Sequence, residues 1–230
     1  EEGIREYDIG ELEELQKLFR KKIWLFLKNE KDSALKQQFK DVSYIWHDDN
    51  KLPDNLDLIA IPGGFSYGDY LRCGSMAANS KIMQEVKKFA NKGGYIIGVC
   101  NGFQILTEAN LVPGVLLRNE KLKFISKRIT LEVVNKSSKF THKINQAEIN
   151  IPIAHHDGNY FCTNDQLKAL QDNEQIAFKY QNNVNGSIAN IAGILNKNKN
   201  ILAMMPHPER AIEPNVGGVD GKQIFLSILS

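Results

Sequence analysis

Cys100 stands midway between two glycines in Gly98-Val99-Cys100-Asn101-Gly102-Phe103-Gln104. This is the spacing of a nucleophile elbow, with cysteine where many hydrolases carry serine. The turn is tight enough that bulky neighbours would clash, so small residues must flank the nucleophile. An elbow of this kind aims its side chain into the open and places it at the N-terminus of the following helix. The partial positive charge there favours a thiolate, the form of cysteine that attacks carbonyl carbon. A second loop, Met205-Pro206-His207-Pro208-Glu209-Arg210, offers a base with a carboxylate two residues on. Two prolines stiffen it and help to aim the imidazole. Thiol, imidazole and carboxylate together would make a nucleophilic relay of Cys100, His207 and Glu209. A third loop, Pro62-Gly63-Gly64-Phe65-Ser66-Tyr67-Gly68-Asp69-Tyr70, is rich in glycine. Its backbone N–H groups suit an anion such as the tetrahedral intermediate of acyl transfer. It lacks the Gly-Lys-Ser/Thr ending of a phosphate-binding loop.

Each loop follows a segment that reads as a strand. Residues 58–61, 95–99 and 201–204 are short, continuous apolar runs, as are residues 23–27. Such runs mark strands buried on both faces. Residues 42–46 read as another strand. Helices are predicted over 32–39, 79–91, 101–109 and 221–229. Strand alternating with helix in this rhythm means a parallel sheet with helices on both faces. Ligands bind such sheets outside the carboxyl ends of the strands, where the three loops belong. The second half of the chain differs. Stretches 121–134, 147–153, 159–162, 175–180, 188–195 and 200–205 are strand-like and separated by Asn-, Gly- and Lys-rich turns, so several are expected as antiparallel additions at one side of the sheet. The fold class is therefore α/β.

The chain has 230 residues, 42% hydrophobic and 24% charged. At about 150 residues per domain it reads as one domain with decorations. Lysine and arginine number 29 against 27 acids, a net charge of +2. That balance argues against a dedicated nucleic-acid binder. No stretch approaches about 18 consecutive apolar residues, so no membrane-spanning helix is expected. The first 14 residues hold seven acids and one base, unlike a secretory signal. Residues 1–20 read as a charged surface helix, an extension without assigned function. Cys73, Cys100 and Cys162 are odd in number, far apart and without metal-type spacing, which suggests a reducing, cytoplasmic setting. His47 with Asp48 and Asp49, and His155-His156-Asp157, read as solvated or structural groups rather than metal ligands.

Taken in order, the three loops resemble those of the class I glutamine amidotransferases, which hydrolyse glutamine with a Cys-His-Glu triad on a flavodoxin-like, mostly parallel sheet. The match runs beyond the family's generic Pro-Gly-Gly. Residues 61–74 and 98–106, together with Leu117-Arg118-Asn119, Ile151-Pro152-Ile153-Ala154-His155, Asn185-Gly186-Ser187 and residues 204–210, resemble one branch of that family, the glutaminase subunits of phosphoribosylformylglycinamidine synthases. The resemblance covers about residues 34–229 and implies an amidotransferase domain over 21–230. It implies Cys100 as nucleophile, His207 as general base and acid, and Glu209 as the group orienting His207. It also implies an oxyanion hole made by the amides of Gly64 and Asn101. Gly63, Gln104, Arg118, Asn119 and His155 would lie around the glutamine or near the ammonia exit.

The implied partners are a large synthetase subunit and a small bridging subunit. ATP and magnesium belong on the synthetase, no cofactor or metal belongs to this chain, and the implied pathway is purine biosynthesis. One departure is visible: members of this branch usually follow their first strand with Pro-Gly-Ser-Asn-Cys-Asp, whereas residues 28–32 here are Lys-Asn-Glu-Lys-Asp. Two other readings remain open, a catalytically silent docking module of the same fold and a stand-alone cysteine amidohydrolase.

Overall fold

A computed structural model describes residues 22–23, 43–69, 72–214 and 218–230. The expected helices over 1–20 and 32–39, and most of the expected strand over 23–27, lie outside these residues. The described elements are β1 (Lys22–Ile23), β2 (Ile45–Trp46), β3 (Leu58–Ile61), α1 (Ser75–Ala78), α2 (Lys81–Asn91), β4 (Tyr95–Val99), α3 (Asn101–Glu108), β5 (Val115–Leu117), β6 (Ile125–Val133), β7 (Glu148–His155), β8 (Asn159–Phe161), α4 (Asn164–Asp172), β9 (Ile176–Tyr180), β10 (Ile191–Leu195), β11 (Ile201–Met204) and α5 (Lys222–Leu229).

The main sheet runs β3-β4-β11-β10-β9-β6-β7. β3, β4 and β11 are mutually parallel. From β11 outward every described pairing is antiparallel. The division follows composition. All four residues of β3, all four of β11 and all five of β10 are buried, as continuous apolar runs require when both faces are covered. β7 instead alternates exposed and buried residues over its first half, the period of a strand with one face toward the core. β5 and β8 pair antiparallel in a separate two-stranded sheet. The expected strand over 159–162 is therefore not an addition to the main sheet.

Helix α2 shows how local chemistry fixes an element. Ile82, Met83, Val86 and Ala90 form its buried face. Its end is a Schellman motif: the amide of Gly93 donates to the Ala90 carbonyl and that of Gly94 to the Phe89 carbonyl, both at 3.0 Å. Gly93 takes φ +89°, a conformation that costs glycine little and other residues more. α4 follows from a different signal. Thr163 accepts from the Gln166 amide, and the Gln166 side chain accepts from the Thr163 amide, a reciprocal capping box.

Candidate active site

The strand order brings the three chemical loops together. β4 lies between β3 and β11, all three run the same way, and so their carboxyl ends share one edge. Gly63-Gly64 leaves the end of β3, Cys100 leaves β4, and His207 follows β11. Two backbone bonds seat the reactive residues: the Cys100 amide donates to the Met204 carbonyl and the His207 amide to the Pro152 carbonyl, both at 2.8 Å.

Cys100 adopts φ +52° and ψ −107° as the cap of α3. This is a strained backbone for a residue with a side chain, of the sort that persists where surrounding packing enforces it. Here the enforcement is visible. A Cβ at Gly98 would overlap the Leu106 side chain, and one at Gly102 would overlap the Ile61 carbonyl oxygen. Both flanking positions therefore need glycine for space. The elbow is further tied to the glycine-rich loop, because the Ser66 amide donates to Asn101 Oδ1 at 3.2 Å.

Gly63 locates thiol and imidazole relative to each other. A Cβ built there would stand 2.7 Å from His207 Cε1 and 3.3 Å from Cys100 Cβ. The two side chains thus pack against one small patch of backbone. The Cys100 thiol donates to the Ala154 carbonyl at 3.6 Å. His207 Nδ1 lies 2.6 Å from Glu209 Oε1, which leaves Nε2, buried and without a strict hydrogen bond, as the ring nitrogen free to act on a reactant. Burial works against charging this ring. The neighbouring Glu209 carboxylate, with the Cys100 sulfur close by, overcomes that and raises the pKa to about 9. Protonated His207 is the resting form this environment favours.

The sign of that shift gives a stability test. Because the folded value lies above the ordinary 6.5, the pair's contribution is complete below about 6.5 and is lost as pH rises through about 9. Melting midpoints measured from pH 6.5 to 9.5 should fall more steeply for the native chain than for Glu209→Gln. Equal slopes would contradict the pairing.

Cys100 and His207 open onto a cavity of about 510 Å³, lined also by Gly63, Gly64, Asp69, Gln104, His155 and Asp157 among others. The amide of Asn101 is in the first turn of α3 and has no intrahelical acceptor. Gly64 lines the same cavity. These two amides are the expected oxyanion donors. Gln104 is buried; it accepts from Asn101 Nδ2 at 2.7 Å and donates to the Asp157 carbonyl at 2.7 Å.

Asn119 and Arg118, expected around the glutamine or near the ammonia exit, do not line this cavity. Asn119 is fully buried and does not line the cavity. Its Oδ1 lies 3.0 Å from His155 Nδ1 and accepts from the Gly158 amide at 3.1 Å, so it positions His155 from behind. Arg118 is largely exposed, pairs with Asp157 at 3.7 Å and lines a neighbouring cavity of about 430 Å³. Burial first, then the charge of His207, lowers the pKa of His155 to about 4, which makes it a neutral member of the site. Asp69 and Asp157 received no role in this site from the sequence. The only signal available for Asp69 was its place in the glycine-rich loop.

Comparison with known proteins follows the same line. Residues 33–217 match the family model of the CobB/CobQ-like glutamine amidotransferase domain. The chain is 51% identical over 196 residues to the phosphoribosylformylglycinamidine synthase subunit PurQ of Ruegeria sp., covering 85% of this chain and 88% of that protein. It is 51% identical over 208 residues to the PurQ subunit of Pelagibacter ubique, covering 86% and 91%. Among solved structures, PurLQS from Thermotoga maritima matches with TM-score 0.78 and 45% identity, covering 85% of this chain and 88% of that one.

Proposed function

Because this chain belongs to the CobB/CobQ-like glutamine amidotransferase family, as a PurQ-type glutaminase subunit, we propose that Cys100, His207 and Glu209 hydrolyse glutamine to glutamate and ammonia for an associated synthase. The ammonia serves the conversion of formylglycinamide ribonucleotide to its amidine in purine biosynthesis. The observation that carries the catalytic assignment is the packing of the Cys100 and His207 side chains against Gly63, with Glu209 bonded to the far side of the imidazole.

The chemistry follows from protons already in place. The Cys100 thiolate attacks the glutamine side-chain carbonyl, and the Gly64 and Asn101 amides hold the developing oxyanion. Protonated His207 gives its proton to the departing nitrogen, the C–N bond breaks, and ammonia leaves behind a thioester. A water molecule then attacks that thioester. Neutral His207 takes one of the water's protons, the C–S bond breaks, and glutamate departs. Thiolate and imidazolium are thereby restored. Glu209 keeps the proton-bearing Nδ1 fixed through both steps.

Free ammonia gains a proton in water and loses its nucleophilicity. A glutaminase of this kind therefore works beside the acceptor site. The partners are a PurL-type synthetase subunit, which would hold ATP and magnesium, and a small PurS-type subunit. Among the described residues no helix is long and apolar enough to cross a membrane; the setting we propose is the cytoplasm. Ammonia release, measured with each component omitted in turn, tests the reading. It should be weak for this chain alone and strongly stimulated by the synthetase with substrate and ADP or ATP bound. Equal turnover with and without the synthetase would indicate a stand-alone amidohydrolase, and none in either case a silent docking module.

A further inference from the structure

Glutamine carries a positive α-ammonium group at the end opposite its reacting amide. A pocket selective for glutamine over other primary amides has to meet that charge. Two carboxylates line the cavity among the described residues, Asp69 and Asp157. They are not equivalent. Asp157 already has a cation beside it, Arg118 at 3.7 Å, and a hydrogen-bond partner in His156 Nδ1 at 3.2 Å. Asp69 makes no ion pair with any described residue. Its neighbours are the Cys73 thiol and Asn101 Nδ2, the latter at 3.5 Å. Asn101 directly follows the nucleophile, so the Asp69 carboxylate stands beside the elbow itself. The same cavity wall holds His155, whose buried Nε2 also lacks a partner. A cavity whose polar groups are incompletely satisfied is suited to a polar ligand that completes them.

We infer that Asp69 is the residue that receives the α-ammonium group of glutamine and so sets the specificity of this pocket, an assignment that rests on the glutaminase reading above. The backbone supports it. Asp69 is held at φ +53°, in the left-handed region, which Asp and Asn tolerate better than most residues. The loop thus holds Asp69 in an uncommon conformation with its carboxylate at the cavity wall. Burial, and then the charge of Asp157, push the Asp69 pKa up to about 6, against the bond from Cys73. A carboxylate under this pressure gains when a cation arrives, because the ammonium replaces water lost on burial and offsets the repulsion from Asp157.

Asp69→Asn separates charge from structure. Asparagine keeps an oxygen to accept from Asn101 Nδ2 and tolerates the same backbone, so only the negative charge goes. The test uses the assembled synthase complex and two amides, L-glutamine and glutaramate, which is glutamine without its α-amino group. For L-glutamine, Asp69→Asn should raise KM roughly 10- to 100-fold, as expected for loss of a charge-assisted contact, and change kcat by less than about threefold, the signature of binding shared by ground and transition states. With glutaramate, kcat/KM should stay within about twofold of the native value, because there is no ammonium to lose. The native preference for L-glutamine should shrink by the same factor that KM rises.

An unchanged preference ratio would overturn the assignment. A purely structural role for Asp69 would lower kcat/KM for both amides together, and that too would overturn it. If the native complex released no ammonia from L-glutamine, the glutaminase reading itself would have failed, an outcome seen before any variant is made. Should the asparagine variant fail to assemble, Asp69→Ser permits the same comparison.

Discussion

Replacing Cys100 with serine should abolish glutamine-dependent synthesis in the assembled complex and leave ammonia-dependent synthesis intact. A serine hydroxyl has the right shape for the elbow, so the cap of α3 and the Met204 contact should survive. It lacks a thiol's readiness to ionise, and the neighbouring His207 is already protonated at neutral pH, so it is a poor acceptor for a hydroxyl proton. Loss of a nucleophile from a triad costs about 10⁴-fold or more in turnover. Externally supplied ammonia bypasses this chain's chemistry altogether. Loss of both activities would mean that acceptor chemistry also resides here, contrary to the division of labour between subunits. The measurement is amidine formation with glutamine or an ammonium salt as the nitrogen donor.

The second large effect concerns His207. His207→Asn removes both the proton given to ammonia and the acceptor for the attacking water, and should reduce glutamine-dependent ammonia release by about 10³- to 10⁵-fold. Glu209→Gln keeps the imidazole but gives up the charge opposite Nδ1, and the smaller loss of about 10²- to 10⁴-fold is expected from misorientation and a lower imidazole pKa. Because the three groups act as one unit, combining Cys100→Ser with His207→Asn should cost little more than the cysteine change alone. Steady-state ammonia release by the single and double variants checks this. Multiplicative losses would show that Cys100 and His207 serve separate processes.

These expectations are largely legible in the sequence because the three loops follow the most distinctive strands. Residues 58–61, 95–99 and 201–204 are continuous apolar runs, and in β3, β4 and β11 all of them but the half-buried Tyr95 are buried. Parallel neighbours place their carboxyl ends together, so the meeting of Gly63, Cys100 and His207 follows from strand order. Other features depend on contacts the pattern does not encode. α4 buries only Leu170, so it has almost no apolar periodicity and its signal is the local Thr163–Gln166 pair. β5 is only three residues long and gains its strand character from pairing with β8.

Side-chain direction was the hardest to read. Arg118 and Asn119 are adjacent in sequence, yet one is largely exposed while the other is fully buried. At the end of a strand, consecutive residues face opposite ways, so both cannot reach one ligand by the same route. Asp69 illustrates the converse. Nothing in a glycine-rich loop marks which polar residue turns inward, and here that depends on a run of positive φ at Tyr67, Gly68 and Asp69.

A nucleophilic sulfur at residue 100 acting on the side chain of glutamine is the core of the proposed function. Diazo-oxo-norleucine, a glutamine analogue that alkylates such a sulfur with loss of dinitrogen, tests it most directly when the labelled complex is digested and the adduct located by peptide mass. One equivalent should appear on Cys100, slowed by added glutamine and strongly reduced in His207→Asn. Burial raises the pKa of both Cys73 and Cys162, and these thiols should remain unlabelled. An unlabelled Cys100 in the complete complex, or an adduct on either of the other cysteines, would contradict the account.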